Sequence, residues 1–354
     1  MKRPQKIQQN RKLKTRSGFS EITISAILIL AFFSFTTYLN SLSNAFVFDD
    51  VYIISNNYFI RSRQNIAEIF RHEYFSVSGE LSYRPVVTLS YFVDYSLWRL
   101  NPAGYHLTNV VLHTLNASLL FLLVQRIGKY LPASFVAALL FLCHPVLSEA
   151  VNAISYREDI LTATFCLTSF IFFVKSQMPG KYNTFYFLSL LSYIFALFSK
   201  EMAITLPIML FLFDFVIIHH CHFTMRTLRI QAGFLLIIVF YLFVRFFWLY
   251  NPLESDISGM QHGIWHCFLN ISRILALYIK LIFFPVHLNA DYLLPDIHAQ
   301  ADASFVLSIL MIISIAVIGI QFFKKSRILF FSLLWFFITL LPVLNIIPIA
   351  NAVG

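Results

Sequence analysis

Residues 22–50 read ITISAILILAFFSFTTYLNSLSNAFVFDD. The run Ile22–Leu39 is apolar, and Lys2, Arg3, Lys6, Arg11, Lys12, Lys14 and Arg16 precede it. A cationic stretch just before an apolar run marks the cytoplasmic side of a membrane span. The run is too long for the core of a cleaved signal peptide, and no small-x-small site follows cleanly. It is expected to stay as a first span, with residues 1–20 as a basic cytoplasmic tail. The chain then leaves the membrane on the outer side at Phe48-Asp49-Asp50.

Outward from this stretch the pattern repeats. Of 354 residues, 58% are hydrophobic and 12% charged, with 40 Phe and 17 Tyr, and mean hydropathy is +0.73. Soluble domains carry about 25% charged residues, so an ordinary soluble enzyme, a disordered chain and a collagen-like fibre are excluded. In lipid the backbone must satisfy itself, which favours helices. The expectation is an all-α polytopic membrane protein of about nine to ten transmembrane helices, each span needing about 20 residues. The expected spans are Ile22–Ser41, Gly104–Val124, Pro132–Cys143, Ile160–Lys175, Thr184–Ser199, Met202–His219, Ile230–Tyr250, Phe305–Phe323 and Leu329–Leu341. No repeat with a 20–50-residue period interrupts them.

With the N-terminus inside, the inner loops hold Arg126, Lys129, Lys175, Lys181, Arg226, Arg229, Lys324, Lys325 and Arg327, as the positive-inside rule asks. Residues 42–103 form the first outer loop and residues 251–302 a later one. Parity holds only if Phe268–Pro285 does not cross. His266, Asn270, Arg273 and Lys280 share one helical face, which suits an amphipathic helix in the outer interface; a true span with snorkelling cations is the alternative. Pro85–Leu100 is read as another interfacial helix. In this topology only Glu21 and Asp214, of 17 acidic residues, lie inside. Charges at a membrane are costly and mark function, so the chemistry is expected on the outer face.

The net charge of +9 follows largely from the N-terminal tail, and nucleic acid is not an expected partner. The four cysteines make no CxxC, so they carry no zinc or disulfide signature. His219-His220-Cys221-His222 falls on the inner side, and neighbouring residues of one helix cannot all ligate one ion. No phosphate-cradling glycine loop or nucleophile elbow is present. The outer loop offers the adjacent carboxylates Asp49 and Asp50, suited to acid–base work or to a divalent cation; a solvated, helix-ending pair is the plain alternative. Tyr83-Arg84-Pro85 supplies a guanidinium fork that matches phosphate, or a neutralising partner for Asp50. No metal site or cofactor is required by the sequence.

The ordered set Phe46-Val47-Phe48-Asp49-Asp50, Tyr83-Arg84-Pro85, Gly104-Tyr105-His106-Leu107-Thr108-Asn109 with His113, His144-Pro145 with Glu149-Ala150, Arg157-Glu158-Asp159 and Ser199-Lys200-Glu201 resembles the membrane part of the transmembrane-and-TPR O-mannosyltransferase-like proteins. These are GT-C glycosyltransferases. The resemblance covers nearly the whole chain and implies a GT-C-like bundle over residues 21–354. It also implies transfer of a sugar, mannose-type, from a polyprenyl-phosphate carrier to a protein hydroxyl outside the cytoplasm. Under it Asp49 is the general base and Asp50 a paired or orienting group. Arg84 steadies the leaving phosphate, together with Arg157, Lys200, Arg245, Arg273 or Lys280. Tyr83, His106, His144, Glu149, Asp159 and Glu201 are further candidate contacts to sugar or lipid phosphate.

Relatives are expected to continue past Asn351–Gly354 into further spans and TPR repeats, and no TPR repeat occurs within these residues. The expected partners are the lipid-linked sugar, membrane lipids and an outer acceptor. The expected location is a bacterial plasma membrane or the endoplasmic reticulum membrane. A transporter or flippase of a lipid-linked substrate, and an inactive scaffold, are the competing readings; a transporter would place ionisable groups near the midplane.

Overall fold

The computed structural model describes residues 21–78, 82–222, 225–249, 264–289, 292 and 303–344. Among these the chain is helical throughout, without a strand. Its main helices are α1 (Glu21–Tyr38), α2 (Pro85–Trp98), α3 (Pro102–Gly128), α4 (Leu131–Cys143), α5 (Arg157–Ser176), α6 (Tyr182–Leu197), α7 (Leu206–Leu212), α8 (Met225–Phe243), α9 (Ile264–Phe283), α10 (Ala303–Lys325) and α11 (Arg327–Leu340).

Helix ends follow local chemistry. Asn101 caps α3 by accepting from Ala103 N at 3.2 Å, and Pro102 fits the first turn. The same helix ends at Lys129 in the left-handed conformation. Proline also opens α2 and lies in the first turn of α4. At Gly104 the α3 backbone comes so close to Trp98 that a Cβ would overlap the indole ring.

Among the described residues, five helical runs are long and apolar enough to cross a membrane: Glu21–Ser43, Pro102–Gly128, Ile154–Ser176, Glu201–Ile218 and Met225–Trp248. A sixth appears if α4 and Pro145–Asn152, bent by 49° at His144, count as one span. Helix α6 has only 16 residues, about 24 Å of rise against a hydrocarbon core of about 30 Å. The nine or ten spans expected from sequence include short apolar runs, such as Pro132–Cys143, Thr184–Ser199 and Leu329–Leu341, whose helices fall below membrane-crossing length on their own. Lipid-facing character is plain on α1 and α8, where Ile22, Leu28, Phe32, Leu236 and Val239 are exposed.

The central core joins α5, α6, α7, α8 and α11 through Phe170, Phe173, Tyr193, Phe234 and Phe331. Interhelical polar contacts fix its register: Asn116 donates to Ile160 O at 2.8 Å, Thr164 donates to Asn116 Oδ1 at 2.7 Å, and the Ser169 and Ser189 hydroxyls each bond the other's carbonyl at 2.8 Å. Such bonds join helices where the hydrophobic effect does not.

The ends of the bundle differ. At one end Arg126 lies on Met178, Arg226 bonds Gln177, and Arg327 contacts His220. Asp214 is buried there, accepting from Thr227 at 2.6 Å. The opposite end carries the first long loop, folded into tight turns over residues 39–70, and α2. Helix α9 packs through Ile271, Ile274, Leu275 and Ile279 against α10 and against Phe336, Phe337 and Leu340 of α11, the half of α11 far from Arg327.

Candidate active site

The turn at Val47–Asp50 separates the two expected carboxylates. Phe48 is left-handed at φ 48°, a conformation that costs a non-glycine residue about 1–2 kcal/mol. Asp50 is sealed from solvent. Its Oδ1 accepts from Ser155 N at 2.7 Å and its Oδ2 from Val47 N at 3.3 Å. It therefore pins the first loop to the segment before α5. Asp49 is exposed beside it. Arg84 does not neutralise Asp50; its partners lie elsewhere.

Those partners form a charge cluster. Arg84 contacts the Glu158 carboxylate and lies 3.4 Å from Glu201. Lys200 Nζ donates to Asp159 at 2.8 and 2.9 Å and lies 2.8 Å from Glu158. Arg245 Nη1 lies 3.7 Å from Glu201 and 2.9 Å from the Tyr241 hydroxyl. Three cations and three carboxylates thus converge from the start of α2, the start of α5, the α6–α7 junction and the end of α8. Burial works against the Arg84 charge, but the Glu158 and Glu201 carboxylates outweigh it and hold the guanidinium above its ordinary value. Burial likewise opposes the Lys200 charge, and Asp159 and Glu158 more than offset it. The most open members are Asp159, 43% exposed, and Glu201, 37%.

Tyr156 stands just before α5, within the fields of Glu149, Asp49, Lys200 and Glu158. Glu149, also exposed, lies within the field of Asp159. Tyr278 of α9 lies within the fields of Lys200 and Asp159. Neither tyrosine was among the residues expected from sequence, nor was Glu158, which lies between two that were. For Glu158 the signal was its place in the Arg157-Glu158-Asp159 triplet; the tyrosines gave none, being two of many in an aromatic-rich chain.

The remaining candidates scatter. Arg157 is fully buried, with Nη1 2.5 Å from Asp94, Nε donating to Asn109 at 2.7 Å and Nη2 donating to Tyr105 O at 3.1 Å. It holds α2, α3 and α5 together and presents no surface to a ligand. Tyr83 is buried in an aromatic nest with Tyr74, Phe75 and Phe198, and burial pushes its hydroxyl to about 12. His106 is completely buried, near the Asn44–Ala45 backbone and the Asp50 charge. His144 bonds Ile282 O at 3.0 Å, tying the bend after α4 to the end of α9. Lys280 is exposed, two positions from Tyr278 and so about 200° around the helix. Arg273 is half-buried on α9. The side chains of His266 and Asn270, and residues 250–263 and 293–302, lie outside the described residues. Among the described residues no group of three His, Cys, Asp or Glu could hold a metal ion; His219 lies 3.7 Å from Asp214.

Comparison with known proteins gives a consistent kinship. Over 339 residues, 91% of the chain, the sequence is 30% identical to a protein O-mannosyl-transferase of Caenorhabditis elegans, of which it covers 47%. It is 34% identical to protein O-mannosyl-transferase TMTC3 of Mus musculus over 46% of the chain and 18% of that protein. It is 29% identical to TMTC4 of Mus musculus over 54% of the chain and 30% of that protein. The chain thus spans about half the length of the nematode relative and less of the mouse ones. No family model matches the sequence, and no solved structure matches it.

Proposed function

From this kinship with the transmembrane-and-TPR O-mannosyltransferase-like proteins, borne out along nearly the whole sequence, we propose that the chain is the membrane part of a GT-C-type glycosyltransferase. It moves a mannose-type sugar from a polyprenyl-phosphate carrier to a protein hydroxyl. The observation that carries the reading is the cluster of Arg84, Lys200 and Arg245 with Glu158, Asp159 and Glu201, near exposed Asp49, whose neighbour Asp50 is bonded to Ser155 three residues before Glu158.

In the reaction the acceptor oxygen attacks the sugar's anomeric carbon as the bond from that carbon to the phosphate oxygen breaks. The hydroxyl proton passes to the Asp49 carboxylate, and the carrier departs as polyprenyl phosphate. Charge grows on the phosphate in the transition state, where positioned cations act most strongly. Glu158, Asp159 and Glu201 hold Arg84, Lys200 and Arg245 in place; Arg84 presents five donors, two of them turned on carboxylates. Asp50 orients the loop that carries Asp49.

We place the cluster end of the bundle outside the cytoplasm, the N-terminal tail inside, and the protein in an endoplasmic-reticulum-type membrane, the relatives above being animal proteins. Nine spans satisfy this placement if α9 lies in the outer interface, which its packing against the far half of α11 and its bond to His144 support. Residues 42–103 and 251–302 are then outer loops of one membrane domain. Grouping of the ionisable residues at one end rather than mid-bundle supports an enzyme over a transporter.

The test supplies membranes bearing this chain with a mannosyl polyprenyl phosphate and an acceptor protein, and measures sugar on the acceptor. Transfer that is lost in Lys200→Gln and Asp49→Asn supports the reading. Transfer undiminished in both variants overturns it.

A further inference from the structure

A second cationic cavity lies at the other end of α2. Arg84 precedes this helix and Arg99 follows it, so about 20 Å of rise separates the cavity from the cluster above. Its volume is about 220 Å³, and Arg61, Arg63 and Arg99 line it with Tyr95, Ser96 and Phe92.

The three arginines line this space without an ion pair among the described residues. Asp94, the nearest carboxylate on the helix, is buried on another face, engaged by Arg157 and by Thr108 at 2.9 Å. Glu68, on the neighbouring turn, pairs with Arg71 at 3.0 Å. Like charges gathered around one cavity repel, and an anion removes that cost.

The arginines are also held ready. Arg61 donates to Ser55 O at 2.6 Å and stacks over Tyr58 at 4.2 Å, while its Nε is buried with no hydrogen-bond partner among the described residues. Arg99 lies over the Tyr95 ring at 5.4 Å, at a residue of positive φ, 55°, that ends α2. A lone arginine at a helix C-terminus is accounted for by the helix dipole; three converging from two elements on one cavity are not.

The geometry points to a phosphate-ester-binding site. Arginine forks match phosphate oxygens in pairs, and the same helix and the turn after it carry the exposed apolar residues Val93, Leu97 and Leu100. Two sources share this chemistry: the headgroup of an anionic phospholipid, with its chains along those residues, and a soluble phosphate ester. The inference is independent of the reaction proposed above, since none of these arginines belongs to it.

The experiment uses the full chain in phosphatidylcholine nanodiscs and two probes. One is inorganic phosphate titrated at constant ionic strength against chloride, read by thermal shift. The other is phosphatidic acid added to the nanodisc lipid, read as lipid retained in native mass spectrometry. Arg63→Gln/Arg99→Gln is expected to weaken the responding probe by about tenfold or more, each charge-assisted bond accounting for about a tenfold change. Arg63→Lys/Arg99→Lys, which keeps the charge, is expected to lose less. Response to phosphate assigns a soluble ester, and response to phosphatidic acid alone assigns a headgroup. Response to neither probe, or a response that Arg63→Gln/Arg99→Gln leaves unchanged, overturns the inference. Should the double variant fail to fold, Arg63→Gln alone is read in the same way.

Discussion

Arg157 and Asp94 meet 2.5 Å apart with both side chains closed to solvent, 0% and 2% exposed. The pair is a strut. It crosses from α5 to α2, and the remaining guanidinium donors continue it into α3. Removing one member of a buried pair leaves an uncompensated charge and costs roughly 3–5 kcal/mol. Arg157→Gln is therefore expected to lower the unfolding free energy of the detergent-solubilised protein by that order. The double variant Arg157→Met/Asp94→Leu should recover much of the loss. If Arg157→Gln unfolds at the wild-type denaturant midpoint, the strut carries no stability.

The neighbouring aspartates are expected to separate in their effects. Asp49 is exposed and Asp50 is buried against two amides. Asp49→Asn should reduce transfer by about 10²- to 10⁴-fold, the usual span for a general base, while leaving the melting temperature alone. Asp50→Ala orphans the Ser155 and Val47 amides and should cost about 1–3 kcal/mol. Paired activity and melting measurements decide it; the reverse assignment of effects would move the base to Asp50.

Lys200 sets a pH limit. Its charged form is favoured in the fold, so its value lies above the ordinary 10.5. A group raised on folding contributes fully below its unfolded value and loses that contribution as pH climbs through the folded value. The cluster's contribution should be constant from pH 7 to about 10 and decline above that. Lys200→Arg, charged throughout the range, should flatten the alkaline limb in melting curves. An alkaline decline of equal size in both proteins would place its origin elsewhere.

Gly104 tests the seat of α2 on α3. A methyl group there overlaps the Trp98 ring, and overpacking costs typically about 1–3 kcal/mol. Gly104→Ala should melt lower, and Gly104→Ala/Trp98→Leu should recover part of the difference. No recovery would show that the indole is not the obstacle.

How far the fold was legible follows from what patterns a sequence displays. Helix α4 was expected at Pro132–Cys143 and runs Leu131–Cys143, because a proline and a His-Pro step bound an uninterrupted apolar run. The helix expected over Pro85–Leu100 is α2, Pro85–Trp98. Spacing could not show which charges meet. Arg84 finds Glu158 and Glu201, 74 and 117 residues on. Arg157, next to Glu158, turns away from the cluster into the core because one helical step rotates a side chain by about 100°. Arg245 falls within the apolar run Ile230–Tyr250 expected as a span, and the fold brings Glu201 and Tyr241 to it.

One further feature concerns how the end of α8 is wound. Leu249 N reaches back five residues to Val244 O at 3.0 Å, so the last turn holds one residue more than an α-helical turn. Such a turn acts as a swivel. It lets Arg245 address Glu201 while Leu249 packs into the core of the first loop and Trp248 reaches Phe70 O at 3.4 Å. Two obligations that a regular helix would set against each other are met together. Shortening the chain by one residue at Phe246 would force a choice between them, a harsher change than any side-chain replacement in the same turn.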